Sequence, residues 1–364
     1  MLSVRSARHK ETPVEMRPED MTVCALEAHE MPELKEFLGR VFKNADGAFL
    51  DDDLLAWKYV QERSDRQDPR SWVLRDEENR IVAHIGLVFL TFALPTGTQR
   101  TWHGIDWAST VPKAGRVLSA AVRERLSKNF RFGIGGTESA RAAIQQDGMR
   151  VIGSSDTFAI SLRPWKQLRT SRPILRPKRA VAFTRNAKHL RLHKPRHAVG
   201  WHAERLQSFA GASEFVNVRR DDVTQTERTP EVLDYLLACP ANCSGYTLSR
   251  GVDAMGYVLF SHMWGQTRIA ELRIASGRDD DWENAYALAI ELAGSDPRTC
   301  EVVATGSSNT TRGAMLANAL RPMHKRPLWV ADPSPFAEGI PPFEIQAADS
   351  DAFFIGDRQH AYML

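Results

Sequence analysis

The chain repeats one pattern of strands and helices, and this repeat limits its possible folds more than any other feature. The segment RGAMLANALR (312–321) aligns without gaps with RAAIQQDGMR (141–150). A pair of strand-like stretches joined by a turn precedes each of them, at 244–263 and at 71–94. A repeat at this spacing predicts two copies of one α/β unit. The chain has 364 residues, which is enough for two domains.

The stretch from Trp102 to Arg150 shows the alternation most clearly in the first copy. It predicts, in order, a strand (103–109), a loop (110–115), a helix (116–128), a second strand (130–136) and a second helix (137–148). The apolar residues of the first helix fall on one face, as in a helix packed on a sheet: Val117, Leu118, Ala121, Val122 and Leu126.

The loop before helix 116–128 has the chemistry of an anion-binding site. Lys113 and Arg116 supply two positive charges on either side of Gly115. The start of a helix also offers backbone N–H groups, which we expect from Ala114 to Leu118. These features predict a cradle suited to a pyrophosphate, and an ordinary strand-to-helix turn explains the same residues equally well.

The order of these segments resembles the GNAT superfamily of acyl-CoA-dependent N-acyltransferases. The segments are ENRIVAHIGLVFLTF, then WHGIDWASTVPKAGRVLSAAV, then RFGIGGTESARAAIQQDGMRVIG. In that family the strand before the loop lines the pantetheine arm, and the loop, commonly Arg/Gln-x-x-Gly-x-Gly/Ala, holds the pyrophosphate. The resemblance implies acetyl-CoA or another acyl-CoA as donor, held by Trp107, Ala108, Ser109, Lys113, Ala114, Gly115, Arg116, Val117 and Leu118.

The sequence departs from the family pattern at two positions that matter for chemistry. Val117 stands where the second glycine of the loop is expected, and the loop is about one residue short. Ile144, before the pair Gly148–Met149, stands where the family usually has a tyrosine that acts as general acid.

The resemblance extends to the tandem-GNAT proteins, because the second copy follows the same order. We predict an α/β chain of two tandem GNAT-like units, each a mixed, mostly antiparallel sheet with helices on both faces. The predicted parts are an N-terminal arm (1–20), a first GNAT-like domain (21–163), a basic connector (164–200), a second GNAT-like domain (201–335) and a C-terminal tail (336–364).

The two copies differ at the loop that would hold the donor. In the second copy this loop is GRDDDWEN (277–284), and its acids are Asp279, Asp280, Asp281 and Glu283. A like-charge contact at about 4 Å costs about 1 to 4 kcal/mol near a protein surface. The first copy has no acid from Ser109 to Arg123. We therefore assign the acyl-CoA site to the first domain and a structural or acceptor-shaping role to the second.

Four residues near the first loop are candidates for moving the proton of the acceptor amine. His103 and Asp106 lie on the strand, and Glu138 and Ser139 begin the helix after the second strand. Strand alternation places His103 and Asp106 on opposite faces. Asp106 could instead be a structural acid, and Glu138 a helix-start acid favoured by the dipole. Ser139 is a candidate proton donor by position alone.

Cysteine and histidine spacing favours no metal site. Cys24, Cys239, Cys243 and Cys300 contain no CxxC pair, which favours a reducing cytoplasm. His189, His193 and His197 recur every four residues, but Pro195 interrupts the helix that would align them. The N-terminus has no apolar core of a signal peptide, and the longest apolar run (81–94) is too short for a bilayer, so we predict no membrane contact.

Positive charge is concentrated between residues 163 and 205. This stretch has thirteen Lys and Arg residues against one acid, Glu204. Such a run predicts weak contact with tRNA or another polyanion, and a connector charged for solubility is the alternative.

The function that fits these features is transfer of an acyl group from acyl-CoA to an amine of a small molecule or an amino sugar. Two alternatives stay open. Fem-type and leucyl/phenylalanyl transferases also resemble GNAT units, so the donor could be an aminoacyl-tRNA. Val117 and Ile144 fit a non-catalytic binding module with the same fold. The sequence predicts no oligomeric state.

Overall fold

A computed structural model describes residues 21–42, 50–63, 68–94, 97–170, 177–216, 218–331 and 341–350. The predicted N-terminal arm lies outside the described residues, as do residues 336–340 and 351–364 of the predicted tail.

The strands are β1 (Thr22–Ala25), β2 (Ser71–Arg75), β3 (Ile81–Leu94), β4 (Gly97–Ser109), β5 (Phe130–Ile134), β6 (Met149–Ser161), β7 (Trp201–Leu206), β8 (Thr224–Thr226), β9 (Cys243–Arg250), β10 (Asp253–Met263), β11 (Gln266–Ile274), β12 (Glu301–Gly306), β13 (Arg321–Ala331) and β14 (Phe343–Glu344).

The helices are α1 (Met31–Phe42), α2 (Asp52–Tyr59), α3 (Ala114–Arg125), α4 (Glu138–Gln146), α5 (Pro164–Thr170), α6 (Pro177–Leu192), α7 (Ser213–Val216), α8 (Pro230–Leu237), α9 (Asp279–Ser295) and α10 (Asn309–Ala317). Short 3₁₀ turns lie at Ala28–Glu30 and Ala347–Asp349.

All the described strands belong to one sheet that runs through both halves of the chain. Its main order is β1-β2-β3-β4-β5-β13-β6-β12-β11-β10-β9-β7, and β8 joins β3 to β14. The last strand of each half lies in the other half, because β13 pairs with β5 and β6 pairs with β12. This exchange makes the two halves one continuous structure.

Helices cover both faces of the sheet in each half. Leu74 packs with residues of α3, whereas its neighbour Val73 packs with α1 and α2. In the second half Val258 packs with α9 and α10, whereas Leu259 packs with α7 and α8. Successive strand residues point to opposite faces. The predicted fold class, two mixed and mostly antiparallel units with helices on both faces, is confirmed.

Two parallel strand pairs occupy corresponding places in the halves. β4 pairs with β5 only from Thr101 to His103, and β11 pairs with β12 only from Gln266 to Ile269. All four strands continue beyond these registers. Each pair therefore separates after three or four residues and leaves an opening in the sheet.

The predicted connector contains two helices that the sequence analysis did not foresee. Both α5 and α6 begin at a proline, which suits the first turn of a helix because its N–H has no partner there. Gln167 and Asn186 are buried beneath them, and Gln167 donates to Glu301 at 3.0 Å. Of the side chains of α6 described from Arg179 to Leu192, seven are exposed and six are half-buried.

The described part of the predicted tail is buried in the second half. Phe343, Ile345, Ala347 and Ala348 are all less than 8% exposed. β14 pairs in parallel with β8, and the following 3₁₀ turn packs against β11 and β12. None of the described helices is long and apolar enough to cross a membrane.

Candidate active site

A groove occupies the opening between β4 and β5. The two strands separate after the pair His103 and Phe132. The resulting cavity measures about 260 Å³. Its lining comes from both strands and from α4, and includes His103, Gly104, Ile105, Asp106, Trp107, Gly133, Thr137, Ala140 and Ile144. The free edge of β4 therefore faces a space large enough for an extended ligand.

A bulge in β4 changes the expected direction of its side chains. The register with β3 shifts between His84 and Gly86, which face Ala108 and Ile105. Asp106 lies in this bulge with a φ of 46°, an unusual angle for a residue with a side chain. Strict alternation predicted His103 and Asp106 on opposite faces. The register shift interrupts this alternation between the two residues, and both of them line the groove.

Asp106 belongs to a buried cluster with two residues of α2. Lys58 Nζ and Tyr59 OH both donate to Asp106 Oδ2. The side chains of Lys58 and Asp106 are 4% and 14% exposed. Burial alone would raise the pKa of Asp106, but the charge and hydrogen bonds of Lys58 and Tyr59 hold this pKa below its usual value. Asp106 is therefore ionised at neutral pH.

His84 contacts the backbone of the bulge through its imidazole ring. Its Nδ1 lies 3.0 Å from the carbonyl oxygen of Asp106, and its Nε2 lies 3.0 Å from Ser71 Oγ. Burial lowers the pKa of His84 to about 4, so the ring is neutral at pH 7. Because Asp106 O can only accept, Nδ1 carries the proton and Nε2 accepts from the serine. His84 thus positions the backbone of Asp106.

His103 is a second buried histidine, and it lines the groove directly. Burial lowers the pKa of His103 to about 4. Its Nδ1 is buried and has no hydrogen-bond partner among the described residues. A buried polar atom of this kind usually has a partner. A ligand with polar groups along its length would fit the groove at this point.

The first turn of α3 lies close to the end of β4. Trp107 Nε1 donates to Gly115 O at 2.9 Å. A Cβ on Gly115 would lie only 3.0 Å from that nitrogen, so a larger residue has little room. Lys113 precedes the helix with a φ of 68°, and the first turn contains no acid. Lys113 and Arg116 are both exposed, which leaves their charges available to an anion.

The cradle offers fewer backbone donors than expected. The N–H groups of Arg116 and Val117 both donate to Lys113 O, at 2.9 and 3.1 Å. Ala114 N–H donates to Val111 O at 3.3 Å, and Gly115 N–H donates to no described residue. Of the side chains predicted to bind the donor, those of Ala108, Ala114 and Leu118 are buried in the core. These three residues can contribute backbone atoms only.

The predicted residues at the start of α4 lie at the edge of the groove. Thr137 caps the helix by accepting from Ala140 N–H at 3.3 Å. Glu138 and Ser139 are exposed and do not line the groove, unlike Thr137 and Ala140 on the same turn. Ile144, one turn further, presents an apolar side chain to the groove where the resemblance would place a tyrosine.

In the second half, the chain itself fills the corresponding opening. Gln346 Oε1 accepts from Leu272 N–H, and Gln346 Nε2 donates to Leu272 O, both at 2.8 Å. Leu272 lies on β11 beyond its last pair with β12. The side-chain amide of Gln346 therefore provides hydrogen-bond partners for the backbone of β11 where β12 no longer pairs with it. Three aspartates also occupy the first turn of α9.

A buried ion network anchors this C-terminal segment. Arg228 donates to Glu271 on β11 at 2.8 Å and to Asp349 at 2.6 Å. Tyr257 OH donates to the second oxygen of Glu271 at 2.9 Å. Burial alone would raise the pKa of Glu271, but the neighbouring arginines keep it below its usual value. In the second half, the C-terminal segment around Gln346 and Asp349 thus lies where the first half has an open groove.

A cleft on the α2 and α8 face adjoins the first groove. We call it the α2–α8 cleft; its walls are α2, β3 and α8, and its described lining includes Trp57, Lys58, Arg63, Arg70, Phe89, Leu90, Thr91, Arg100, Glu227, Arg228, Thr229, Val232 and Tyr235. Ile105 lines both the cleft and the groove. The Lys58–Asp106 pair joins the two spaces, because Lys58 lines the cleft and Asp106 lines the groove.

The residues that α2 and α8 supply to the site were not predicted from the sequence. Trp57, Lys58, Tyr59 and Tyr235 come from segments distant from the groove in sequence. The run of large residues Trp57–Lys58–Tyr59 inside an acidic helix was the only available signal. Within the described ranges, no group of His, Cys, Asp and Glu side chains is arranged to hold a metal ion.

Comparisons with known proteins rest on structure. No family model matches the sequence, and no curated protein sequence matches it. Saccharomyces cerevisiae N-myristoyltransferase with bound myristoyl-CoA and inhibitors has a TM-score of 0.60 at 10% identity, over 96% of this chain and 87% of the other.

Two other solved structures show the same fold. A GCN5-related N-acetyltransferase from Anabaena variabilis ATCC 29413 has a TM-score of 0.53 at 10% identity, over 85% of this chain and 72% of the other. One from Kribbella flavida has a TM-score of 0.52 at 12% identity, over 85% and 70%. Identities this low speak for architecture alone. The chain has the GNAT fold, the fold of the GCN5-related N-acetyltransferases and of N-myristoyltransferase.

Proposed function

We propose that the protein transfers an acyl group from an acyl-CoA to an amine, with the donor bound in the groove between β4 and β5. The acceptor amine approaches from the α2–α8 cleft. The donor is acetyl-CoA or a longer acyl-CoA, and the acceptor is a small molecule such as an amino acid or an amino sugar.

The observation that carries this proposal is the contrast between the two openings of the sheet. In the second half, the amide of Gln346 bonds both backbone polar atoms of Leu272. In the first half, the free edge of β4 faces the open groove. A pantetheine arm carries amide groups along its length, which can pair with a strand edge as the Gln346 amide does. Three of the structural neighbours are structures of Saccharomyces cerevisiae N-myristoyltransferase with bound myristoyl-CoA.

The cradle residues fit the charged end of such a donor. Lys113 and Arg116 are exposed at the first turn of α3, and Gly115 N–H has no described partner there. Charge-assisted hydrogen bonds of this kind contribute about 1.5 to 3 kcal/mol each. His103 Nδ1, buried and without a described partner, offers a further polar contact inside the groove.

Asp106 is the residue to which we assign the amine proton. It is the only carboxylate among the described residues that line the groove. The neutral amine nitrogen attacks the thioester carbon, the carbon–sulfur bond breaks, and the sulfur leaves as thiolate. The attacking nitrogen becomes positively charged, and its proton is then far more acidic than that of a free ammonium. A carboxylate of low pKa can therefore accept it.

The leaving thiolate needs little assistance from an acid. A thiol has a pKa of about 8.5, so the thiolate is a stable leaving group near neutral pH. Ile144 at the edge of the groove is consistent with this, since it cannot donate a proton. We assign no role in proton transfer to Glu138 and Ser139, because both lie outside the lining of the groove.

Calorimetric titration with CoA tests the donor site. We expect one site per chain in the wild type. Arg116→Glu should weaken binding about 10- to 100-fold, because it removes one charge-assisted contact and adds a repulsion. Arg278→Glu, at the exposed position before α9, is the matched control and should leave affinity unchanged. Absence of CoA binding, or equal loss in both variants, would contradict the proposal. Thiol release from acetyl-CoA with a panel of amines then tests turnover.

A further inference from the structure

We propose that His103 selects a donor whose acyl group carries a hydroxyl, so that the preferred donor is a hydroxyacyl-CoA rather than acetyl-CoA. This inference rests on the proposed function, because it names the acyl group that the same site transfers. It comes from the place of His103 in the groove and from a ring nitrogen that has no partner among the described residues.

His103 lies at the narrow end of the groove. It pairs with Phe132 in the last register of β4 and β5 before the two strands separate. Asp106 follows further along β4, and α3 begins after the end of that strand. The first turn of α3, Asp106 and His103 therefore succeed one another along the groove, from its wide end to its narrow end.

The parts of the donor follow the same order. The pyrophosphate is assigned to the first turn of α3, and the thioester carbon to the neighbourhood of Asp106, which accepts the amine proton. What extends past the thioester toward His103 is then the acyl group. A strand advances about 3.3 Å per residue, so His103 lies within about 10 Å of Asp106 along β4. The groove, of about 260 Å³, thus leaves room for an acyl chain longer than acetyl.

The ring of His103 offers this part of the groove a hydrogen-bond acceptor. The ring hydrogen-bonds to the backbone carbonyl of Phe132. Because Nδ1 is buried without a described partner, that bond comes from Nε2. Burial lowers the pKa of His103 to about 4, so the ring is neutral at pH 7 and carries a single proton. This proton lies on Nε2, and Nδ1 keeps a free lone pair.

The charged side chains that line the groove near His103 already have partners. Asp106 is paired with Lys58, and Arg131 donates to Asp147 at 3.1 Å. His103 Nδ1 differs from both, because it is a buried acceptor to which no described group donates. Such an atom usually acquires a donor from a ligand or from water.

The charge around His103 decides which donor group fits. Arg131 and Arg326 lie close enough for their positive charges to lower the pKa of the ring further. An ammonium group on the acyl chain would be repelled by these charges, and a carboxylate would face the lone pair of Nδ1. An amide N–H would bring a carbonyl oxygen that needs a donor of its own. A hydroxyl donates to Nδ1 and adds no charge.

CoA thioesters with the same four-carbon chain test the preference. We compare 2-, 3- and 4-hydroxybutyryl-CoA with butyryl-CoA, using one amine acceptor throughout. We expect kcat/KM to be at least about 10-fold higher for one of the hydroxylated donors, because butyryl-CoA leaves Nδ1 without a partner. Succinyl-CoA, the anionic member of the series, should not be preferred to butyryl-CoA. Preference for succinyl-CoA or for butyryl-CoA would overturn the inference.

His103→Phe keeps an aromatic ring and removes the acceptor. It should reduce the ratio of kcat/KM between the preferred hydroxylated donor and butyryl-CoA to about one. This ratio does not depend on how much of the variant is folded. His103→Asn, whose amide oxygen can accept, should restore part of it. His202→Phe, at an exposed position of β7, is the matched control and should keep the wild-type ratio. An unchanged ratio in His103→Phe would contradict the assignment.

Equilibrium binding separates a failure of this inference from a failure of the proposed function. In calorimetry without an amine, the preferred hydroxylated thioester should bind at least about 10-fold more tightly than butyryl-CoA, and His103→Phe should remove the difference. This result without acyl transfer to any amine would contradict the transfer and keep the selection of the donor. Equal affinities of the thioesters, with CoA itself still bound, would overturn the inference alone. Absence of CoA binding would overturn both.

Discussion

The side-chain amide of Gln346 pairs with both backbone polar atoms of Leu272, at 2.8 Å each, as a neighbouring strand would. The pairing occurs where β11 has separated from β12. In the first half the equivalent edge of β4 faces an open groove. The same sheet opening is thus closed by the chain in one half and left accessible in the other.

Gln346→Ala should destabilise the protein without affecting CoA binding. The substitution leaves the N–H and C=O of Leu272 without their partner in a buried site, which costs about 2 to 4 kcal/mol in free energy of unfolding. Urea unfolding measures this loss. Gln145→Ala, at an exposed position of α4, should change the free energy of unfolding by less than about 0.5 kcal/mol. Equal effects of the two variants would show that Gln346 contributes no more than a surface residue.

Asp106→Asn should reduce turnover far more than it reduces CoA affinity. Loss of a group that accepts a proton in the transition state lowers kcat about 100- to 10,000-fold. The CoA dissociation constant should change less than about 3-fold, because the cradle is intact. Asp280→Asn on the exposed first turn of α9 serves as control. A wild-type kcat in Asp106→Asn would show that Asp106 has a structural role and does not accept the amine proton.

Lys58→Met should move the acid limb of the pH–rate profile to higher pH. In the wild type, burial raises the pKa of Asp106, but the charge and hydrogen bond of Lys58 together with the hydrogen bond of Tyr59 keep it below its usual value. Burial without the lysine raises the pKa of a carboxyl group. We therefore expect wild-type activity to be independent of Asp106 titration above about pH 5, and the variant to lose activity at a pH at least about one unit higher. An unshifted acid limb would show that Lys58 does not control the protonation of Asp106 during catalysis.

The two buried histidines should make stability fall between about pH 6.5 and pH 4. Burial lowers the pKa of both His84 and His103 to about 4, below the value of the unfolded chain. In this window the unfolded state binds more protons than the folded state, so protonation favours unfolding, by up to about 3 kcal/mol per histidine. The stability present above the unfolded pKa is thus lost as the pH falls.

His84→Asn isolates one of these contributions. Its amide can still donate to the backbone at Asp106 but does not titrate. Urea unfolding at several pH values should show a slope reduced by about one proton in this window. His202→Asn, at an exposed position, should keep the wild-type slope. The same slope in both variants would mean that His84 does not titrate as expected.

Local sequence patterns predicted individual helices and turns. The candidate site instead depends on contacts between residues that are far apart in the sequence. The periodicity of 116–128 predicted the helix at α3. The turn predicted within 71–94 lies between β2 and β3, where Asp76 accepts from the N–H of Arg80 at 2.9 Å. The exchange of β6 and β13 depends on pairing between halves, which no local pattern encodes. Lys58 is 48 residues from Asp106 in sequence, and the bulge that orients Asp106 breaks the alternation used to predict its direction.

The exposed face of α6 should bind polyanions weakly. Arg185, Lys188 and Arg191 are exposed on it, and residues 177–200 contain no acid. If about three phosphates are neutralised, affinity for tRNA should fall about 20- to 40-fold between roughly 50 and 200 mM salt. Filter binding measures this, and an Arg185→Glu, Lys188→Glu double variant should abolish it. Tight binding of one aminoacylated tRNA that persists at high salt would instead favour an aminoacyl-tRNA donor.

Gly115→Asp should weaken CoA binding more than any single loss of a cradle contact. A Cβ at this position would lie 3.0 Å from Trp107 Nε1, which itself donates to Gly115 O. The substitution therefore crowds the contact between β4 and α3 and adds a negative charge at the helix start. We expect the CoA dissociation constant to rise at least about 100-fold.

Gly115→Ala separates the two effects, because it adds the Cβ without the charge. It should raise the dissociation constant about 10-fold, and the difference between the two variants measures the electrostatic part. Asp280→Lys, which reverses a charge on the corresponding turn of α9, is the control for the second half. Unchanged CoA affinity in both Gly115 variants, with a gain or loss in Asp280→Lys, would move the donor site to the second half of the chain.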